Sequence, residues 1–189
     1  MFSKKTKPLI FLLLITFLFA INSANSESVW SLAKDKEAQA SIDKGKAYLD
    51  NGKFDEAIAE FIRLAQLHPD NAFIYSYLGI AYQKKGDFDN AITNYSKSIQ
   101  FYPKDYTVYS LRGNAYLKKS NYDQAIADFN KYLQMEAKDG NVYFARAIAY
   151  FYKKEYDKAW DDVHKAQALG VNIPSNFLED LRKASGREK

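Results

Sequence analysis

An all-α fold, an α-solenoid of four helix-turn-helix repeats closed by a C-terminal capping helix, is predicted for this 189-residue chain by three observations. The first is a period of 34. Gly45, Gly79, Gly113 and Ala147 share that spacing, as do Tyr48, Tyr82, Tyr116 and Tyr150, and Ala57, Ala91, Ala125 and Ala159. Three further columns keep the step: Ala47, Ala81, Ala115 and Ala149; the aromatics Phe54, Phe88, Tyr122 and Tyr156; and the acids Asp55, Asp89, Asp123 and Asp157. Six registered columns over four copies mark a stacked architecture in which each unit buries its apolar face on its neighbour. Second, each copy splits into two amphipathic stretches at a short polar turn such as Asn51-Gly52-Lys53 or Lys85-Gly86-Asp87, where Gly stops one helix and Asp starts the next. Third, 47% apolar and 16% aromatic residues with only eight Gly and four Pro suit a packed core and exclude collagen-like and low-complexity chains.

Residues 1–26 stand outside the repeats. Lys4, Lys5 and Lys7 precede an apolar run from Leu9 to Ile21 broken only by Thr16, and small polar residues follow; this is the order of a cleavable secretory signal. As a helix the run spans roughly 20 Å, short of the roughly 30 Å of a hydrocarbon core, so a signal is expected rather than an anchor. Ala24-Asn25-Ser26 offers cleavage before Glu27, with Asn22-Ser23-Ala24 as a competing site. The mature protein is therefore expected to be exported, periplasmic or secreted, with membrane contact only through an uncleaved signal. Removing residues 1–26 takes three lysines and no acid, which lowers the formal charge from +4 to +1 and leaves no electrostatic case for nucleic acid. The absence of cysteine excludes a disulfide scaffold, a thiolate zinc site, a Cys nucleophile and a Cys-attached lipid.

After a lead-in segment, 27–37, the copies run 38–71, 72–105, 106–139 and 140–173. In the second, Asp87 is placed to cap the second helix (helix B) while Asp89 sits in its positive first turn. Lys84, Lys85, Lys118, Lys119, Lys153 and Lys154 fall at the end of the first helix (helix A), where the dipole favours cations. Pro69 and Pro103 end helix B, because the residue before proline avoids the α region. Tyr75, Leu78, Gly79, Tyr82, Ala91, Tyr95 and Pro103 of this copy give it the pattern of the tetratricopeptide repeat (TPR) family, which the sequence resembles over nearly all of its mature length. The resemblance implies helix pairs stacked around a concave groove, and an interaction scaffold rather than an activity.

The fourth copy drifts. Trp160 and Val163 replace the usual aliphatic and aromatic, Val171 stands where proline would be, and Arg112 and Arg146 occupy the Leu78 column in the last two copies. Residues 174–189 begin as one more helix, with Phe177, Leu178 and Leu181 on one side, suited to covering the end of a stack, and finish in a frayed tail.

In the resembled family, positions 2, 5, 9 and 12 of helix A line the concave groove. They read Gln39, Ile42, Lys46, Leu49; Phe73, Ser76, Ile80, Gln83; Thr107, Ser110, Asn114, Leu117; and Asn141, Phe144, Ile148, Phe151, with Tyr77 and Leu111 flanking. Helix A has its own core face, so apolar residues on a second stripe point to a partner. The expected partner-binding residues are Phe73, Tyr77, Ile80, Leu111, Asn114, Leu117, Phe144, Ile148 and Phe151, set to hold a protein or peptide partner in extended or helical form. The other reading of the stripe is burial by superhelix curvature or by the segment around Trp30. One subclass of the family clamps a C-terminal carboxylate with a Lys, Asn, Asn, Lys, Arg set. Here those positions hold Ile42, Lys46, Tyr77, Thr107 and Leu111, so that clamp is absent. Homo-oligomerisation by stacking of repeat edges is the alternative function.

No enzyme, cofactor, metal site or small-molecule substrate is expected. His68 and His164 lie far apart in sequence without a spaced ligand partner, and Asp161 and Asp162, adjacent on a helix, point in different directions. There is no Gly-rich phosphate loop, nucleophile elbow or dinucleotide fingerprint. Asn94-Tyr95-Ser96 matches a glycosylation acceptor inside a predicted helix, where the match is chance.

Overall fold

The computed structural model describes residues 36–187. The chain divides into two compact units, Met1–Asp43 and Lys44–Lys189. Of the first, residues 36–43 are helical, and Gln39 Nε2 donates to Asp43 Oδ1 one turn on at 3.1 Å. The expected signal at 1–26 and most of the lead-in lie outside the described residues. Nine helices and no strand occur among the described residues: α1 (36–50), α2 (Phe54–Leu67), α3 (Ala72–Lys85), α4 (Phe88–Phe101), α5 (Tyr106–Lys118), α6 (Tyr122–Met135), α7 (Gly140–Tyr152), α8 (Tyr156–Ala168) and α9 (Ser175–Ser185). Helices α3, α5 and α7 are the A helices of the second to fourth copies, and α4, α6 and α8 their B helices.

Local chemistry explains the boundaries. Each of these A helices opens on an Asx cap: Asn71, Asp105 and Asp139 accept from the backbone N–H groups of Phe73, Thr107 and Asn141 at 3.0, 3.1 and 2.9 Å. Asp87 caps α4 by accepting from Asn90 N at 3.1 Å. The A–B turn needs one left-handed residue. Gly52 and Gly86 supply it at φ 71° and 88°, whereas the third and fourth copies force Ser120 and Lys154 into it at φ 60° and 62°.

Within a copy, helices A and B close on a glycine. A Cβ built on Gly45 would stand 2.5 Å from the Phe61 ring and one on Gly113 2.7 Å from the Phe129 ring; Gly79 faces Tyr95 in the same way. Phe61, Tyr95 and Phe129 are fully buried there, as are Ala57, Ala91, Ala125 and Ala159. In the fourth copy the pair changes together: Val163 replaces the aromatic and Ala147 the glycine, both buried in one cluster with Trp160 and Ala166.

Successive copies stack through helix B of one against helix A of the next. The A helices also touch one another, α3 with α5 and α5 with α7, while among the described residues the B helices make no comparable contact, so the A helices share one face. Along the A–B turn edge an ion-pair ladder joins residues 30 apart: Lys85 to Asp55 (2.6 Å), Lys119 to Asp89, Lys153 to Asp123 (2.6 Å) and Arg187 to Asp157 (2.7 Å). Exposed pairs of this kind each contribute little, at most about 1 kcal/mol, but they register the repeats. The last rung places α9 where a fifth helix A would stand. Leu181 then occupies the glycine column, and it is fully buried.

Candidate binding groove

The A-helix side is formed by α3, α5 and α7, and each residue expected in the groove belongs to one of these three helices. Phe73 follows the Asn71 cap, is 55% exposed, and sets its ring 6.2 Å from that of Tyr102. These two rings, with Leu67, Pro69 and Phe101, line an open depression of about 610 Å³ between the first and second copies. Tyr77 is half-buried, stacked 5.3 Å from Phe61, with Lys46 Nζ 6.0 Å over its ring. Ile80 and Leu111 rest on the buried cluster of Ala91, Tyr95, Val108 and Ala115. Leu117 rests on the cluster around Phe129 and Tyr132. Asn114 and Ile148 are half-buried on α5 and α7. Phe144 and Phe151 meet Phe177 of α9, at ring-centroid distances of 5.2 and 5.5 Å.

The premise that packing makes no demand on this stripe is thereby corrected. Ile80, Leu111 and Leu117 contribute to the joints between copies, and Phe144 and Phe151 to the seat of α9. Gln83 is also engaged, accepting the Tyr95 hydroxyl at 2.9 Å, and burial pushes the pKa of that phenol well above its ordinary value. Phe73, Thr107 and Asn141 are the stripe residues left exposed on these three helices.

What the sequence reading passed over is a polar ladder behind the face. Arg112 Nε and Nη2 donate to the two carboxylate oxygens of Asp128, each at 2.8 Å, while Nη1 reaches Ser96 Oγ of the preceding copy at 2.9 Å. One repeat on, Arg146 binds Asp162 in the same fork at 2.7 and 2.8 Å and reaches Asn130 of the preceding copy. Each guanidinium lies between two tyrosine rings: Arg112 is 5.9 and 5.8 Å from Tyr109 and Tyr116, and Arg146 is 5.4 and 5.8 Å from Tyr143 and Tyr150. Burial opposes the charge on each arginine, but the facing aspartate outweighs it and raises the guanidinium pKa. In the first copy Lys44 and Glu60 make the equivalent pair at 3.1 Å. The sequence signal was there: a base and an acid 16 apart, in register with the 34-residue period in every copy but the second.

His68 is half-buried beside Pro69, and His164 is exposed with its ring 5.7 Å from Trp160. Asp162 belongs to the arginine ladder while Asp161 is exposed. Among the described residues no group of His, Cys, Asp and Glu could hold a metal ion, and no helix is long and apolar enough to cross a membrane.

Helix pairs repeated at 34 residues, stacked through alternate helices and presenting their A helices on one side, define an α-solenoid repeat protein that serves as a protein–protein interaction scaffold. Family models described as "TPR repeat" and "Tetratricopeptide repeat" match residues 45–86, 72–105 and 110–169. The chain belongs to the tetratricopeptide repeat family. Solved structures share its fold. "MamA RS-1 ArsTM double mutant" superposes with a TM-score of 0.72 at 20% identity, covering 80% of this chain and 85% of that one. "MamA 41-end from Desulfovibrio magneticus RS-1" gives 0.70 at 19% identity, covering 79% and 89%. "MamA MSR-1 C2" gives 0.64 at 25% identity, covering 70% and 76%. No curated protein matches the chain in sequence.

Proposed function

We propose that this protein is an exported, non-enzymatic scaffold that holds a peptide or helix of a partner protein along its A-helix face, within a cell-envelope assembly. The observation that carries the reading is the shared face of α3, α5 and α7, where exposed Phe73 and half-buried Tyr77, Ile80 and Ile148 alternate with Thr107, Asn114 and Asn141. Apolar anchors interspersed with amide and hydroxyl groups suit a peptide whose side chains dock while its polar groups find partners. A few anchors at about 1.5–3 kcal/mol each, less the cost of association, correspond to affinities around micromolar. Export rests on the order of charged, apolar and small residues in 1–26.

The test pairs Phe73→Ser, at an exposed position, with Asn114→Arg, at a half-buried one. In-cell crosslinking of the parent should capture a partner that the variant loses while its far-UV dichroism and melting are retained; an unchanged set of crosslinked partners would refute groove binding. N-terminal sequencing of the mature protein should begin at Glu27, and a chain beginning at Met1 would refute cleavage of the signal; a chain found only in the cytoplasmic fraction would refute export.

One observation favours self-association as a second reading. Leu67, Phe101, Met135 and Leu169, at one position of the four copies, are 39–47% exposed at the ends of the B helices. Such a row is apolar surface of the kind that self-associating edges use. Light scattering over a concentration series separates the readings, since only self-association makes the mass rise with concentration.

A further inference from the structure

The stripe on the A helices changes character in the fourth copy. Where α3 carries Ser76 and Gln83 and α5 carries Ser110 and Leu117, α7 carries Phe144 and Phe151. Phe177 of α9 stands against both rings in edge-on geometry, at interplanar angles of 85° and 60°. Buried Leu181 and half-buried Leu178 shield the end of the stack, and α9, as a fifth helix A, meets α7 as α7 meets α5 and α5 meets α3. The two phenylalanines on α7 make this contact aromatic, which the earlier copies do not. They make a socket, and the chain fills it with one ring of an amphipathic helix whose other side shows Glu179, Asp180, Arg182 and Lys183 to solvent.

The attachment of α9 is that of a removable element. Residues 171–174 ahead of it are non-helical, Gly170 is left-handed at φ 86°, and α9 packs chiefly on α8, with Phe177 reaching α7. Terminal elements with few neighbours open at the low end of a protein's free-energy range.

Building on the groove reading above, we propose that α9 is the resident occupant of the groove's C-terminal end. The partner it fits is an amphipathic helix of the same kind, with an aromatic residue followed by aliphatic residues at the next and the fourth positions, which displaces Phe177 from Phe144 and Phe151. A partner that merely matches α9 competes against a helix tethered at roughly millimolar effective concentration. Occupation by α9 therefore selects for partners that also engage the open part of the face near Phe73.

The experiment uses the full chain with Trp30→Phe, which leaves Trp160 as its only tryptophan. Trp160 reports on α9, because its Nε1 donates to Ser185 Oγ at 3.1 Å and the Arg187 guanidinium lies 5.9 Å over its ring. The probe is a fluorescein-labelled synthetic peptide of residues 174–189. It should bind the Phe177→Ala chain about tenfold more tightly than the parent, since the competing helix is weakened. Adding Phe144→Ala should remove that binding, and saturating unlabelled peptide should shift the Trp160 emission of the parent as α9 lifts. Equal affinity for parent and Phe177→Ala, or binding to neither, overturns the proposal. Should Phe177→Ala fail to fold, the parent titration decides alone, with unchanged Trp160 emission at saturation as the refuting result. Crosslinks in the cell that depend on Phe73 and Asn114 while the peptide binds nothing would refute the resident-occupant idea and leave the groove reading standing.

Discussion

Replacing Arg146 by leucine, the residue that Leu78 supplies at the same position of the second copy, should destabilise the protein severely, and adding Asp162→Asn should restore most of the loss. The Asp162 side chain is 3% exposed, and its two oxygens are held by Nε and Nη2 of Arg146. Arg146→Leu removes both charge-assisted bonds and leaves a carboxylate without water or partner, which costs about 3–5 kcal/mol. Asn130, which also loses a bond, is half-buried and adds less. At about 2–4 °C per kcal/mol for a chain of this size, the melting point should fall by about 6–20 °C. The double variant recreates the pairing of Leu78 with Asn94, which the second copy already accommodates with Leu78 3% exposed, so its cost should be within about 1–2 kcal/mol of the parent. The coupling from the double-mutant cycle is then at least about 1 kcal/mol, plus whatever Asp162→Asn costs alone. Urea unfolding by far-UV dichroism measures the cycle. Trp160, two residues before Asp162, reports whether the last copies open separately, as repeat arrays can. A single variant within about 0.5 kcal/mol of the parent, or a double variant less stable than the single, would show that the ladder does not work by desolvated pairing.

Two further outcomes follow from local geometry. Lys154→Gly relieves a left-handed lysine and should raise the melting point by about 1–3 °C; a lower value would mean that its side chain makes up for the strain. The hydrogen bonds from the Asn90 side chain and backbone hold the Asp87 carboxyl below its ordinary pKa, so the stability it contributes is complete above the usual carboxylate range and is lost as pH falls through the lowered value. Asp87→Asn should therefore be less stable than the parent at neutral pH, with the difference shrinking as the medium is acidified, and a difference constant with pH in urea midpoints would contradict the assignment.

The stack could be read from the chain because each copy repeats the same solution to the same contact. Gly79 against Tyr95 and Ala91 in the seam are local consequences of helix pairing, and four copies make them visible. Which residues of the stripe stay open was not legible in this way. Ile80 and Leu111 become half-buried at the joint between the second and third copies, a tertiary contact that no spacing encodes. Arg112 and Arg146 looked like decay of an apolar column, because their compensation lies 16 residues away on another helix and in the preceding copy. Ser120 and Lys154 hide a left-handed turn behind residues that rarely adopt one. The seating of Phe177 on Phe144 and Phe151 joins two segments whose patterns are unremarkable when taken apart.

The turn-edge ladder and the arginine ladder differ in what they permit over generations of duplication and loss. From the second copy on, each donates an acid forward and a base backward along the edge, so excision of residues 72–105 would bring Lys119 to Asp55 and keep that rung paired. The same excision would set Arg112 against Ile62 in place of Ser96. The edge is thus indifferent to copy number, whereas the interior carries a memory of order, with Lys44, Leu78, Arg112 and Arg146 as its successive letters. A chain written this way can lengthen freely only by copying the unit beside its own kind, and its arginine-bearing repeats are fixed as neighbours.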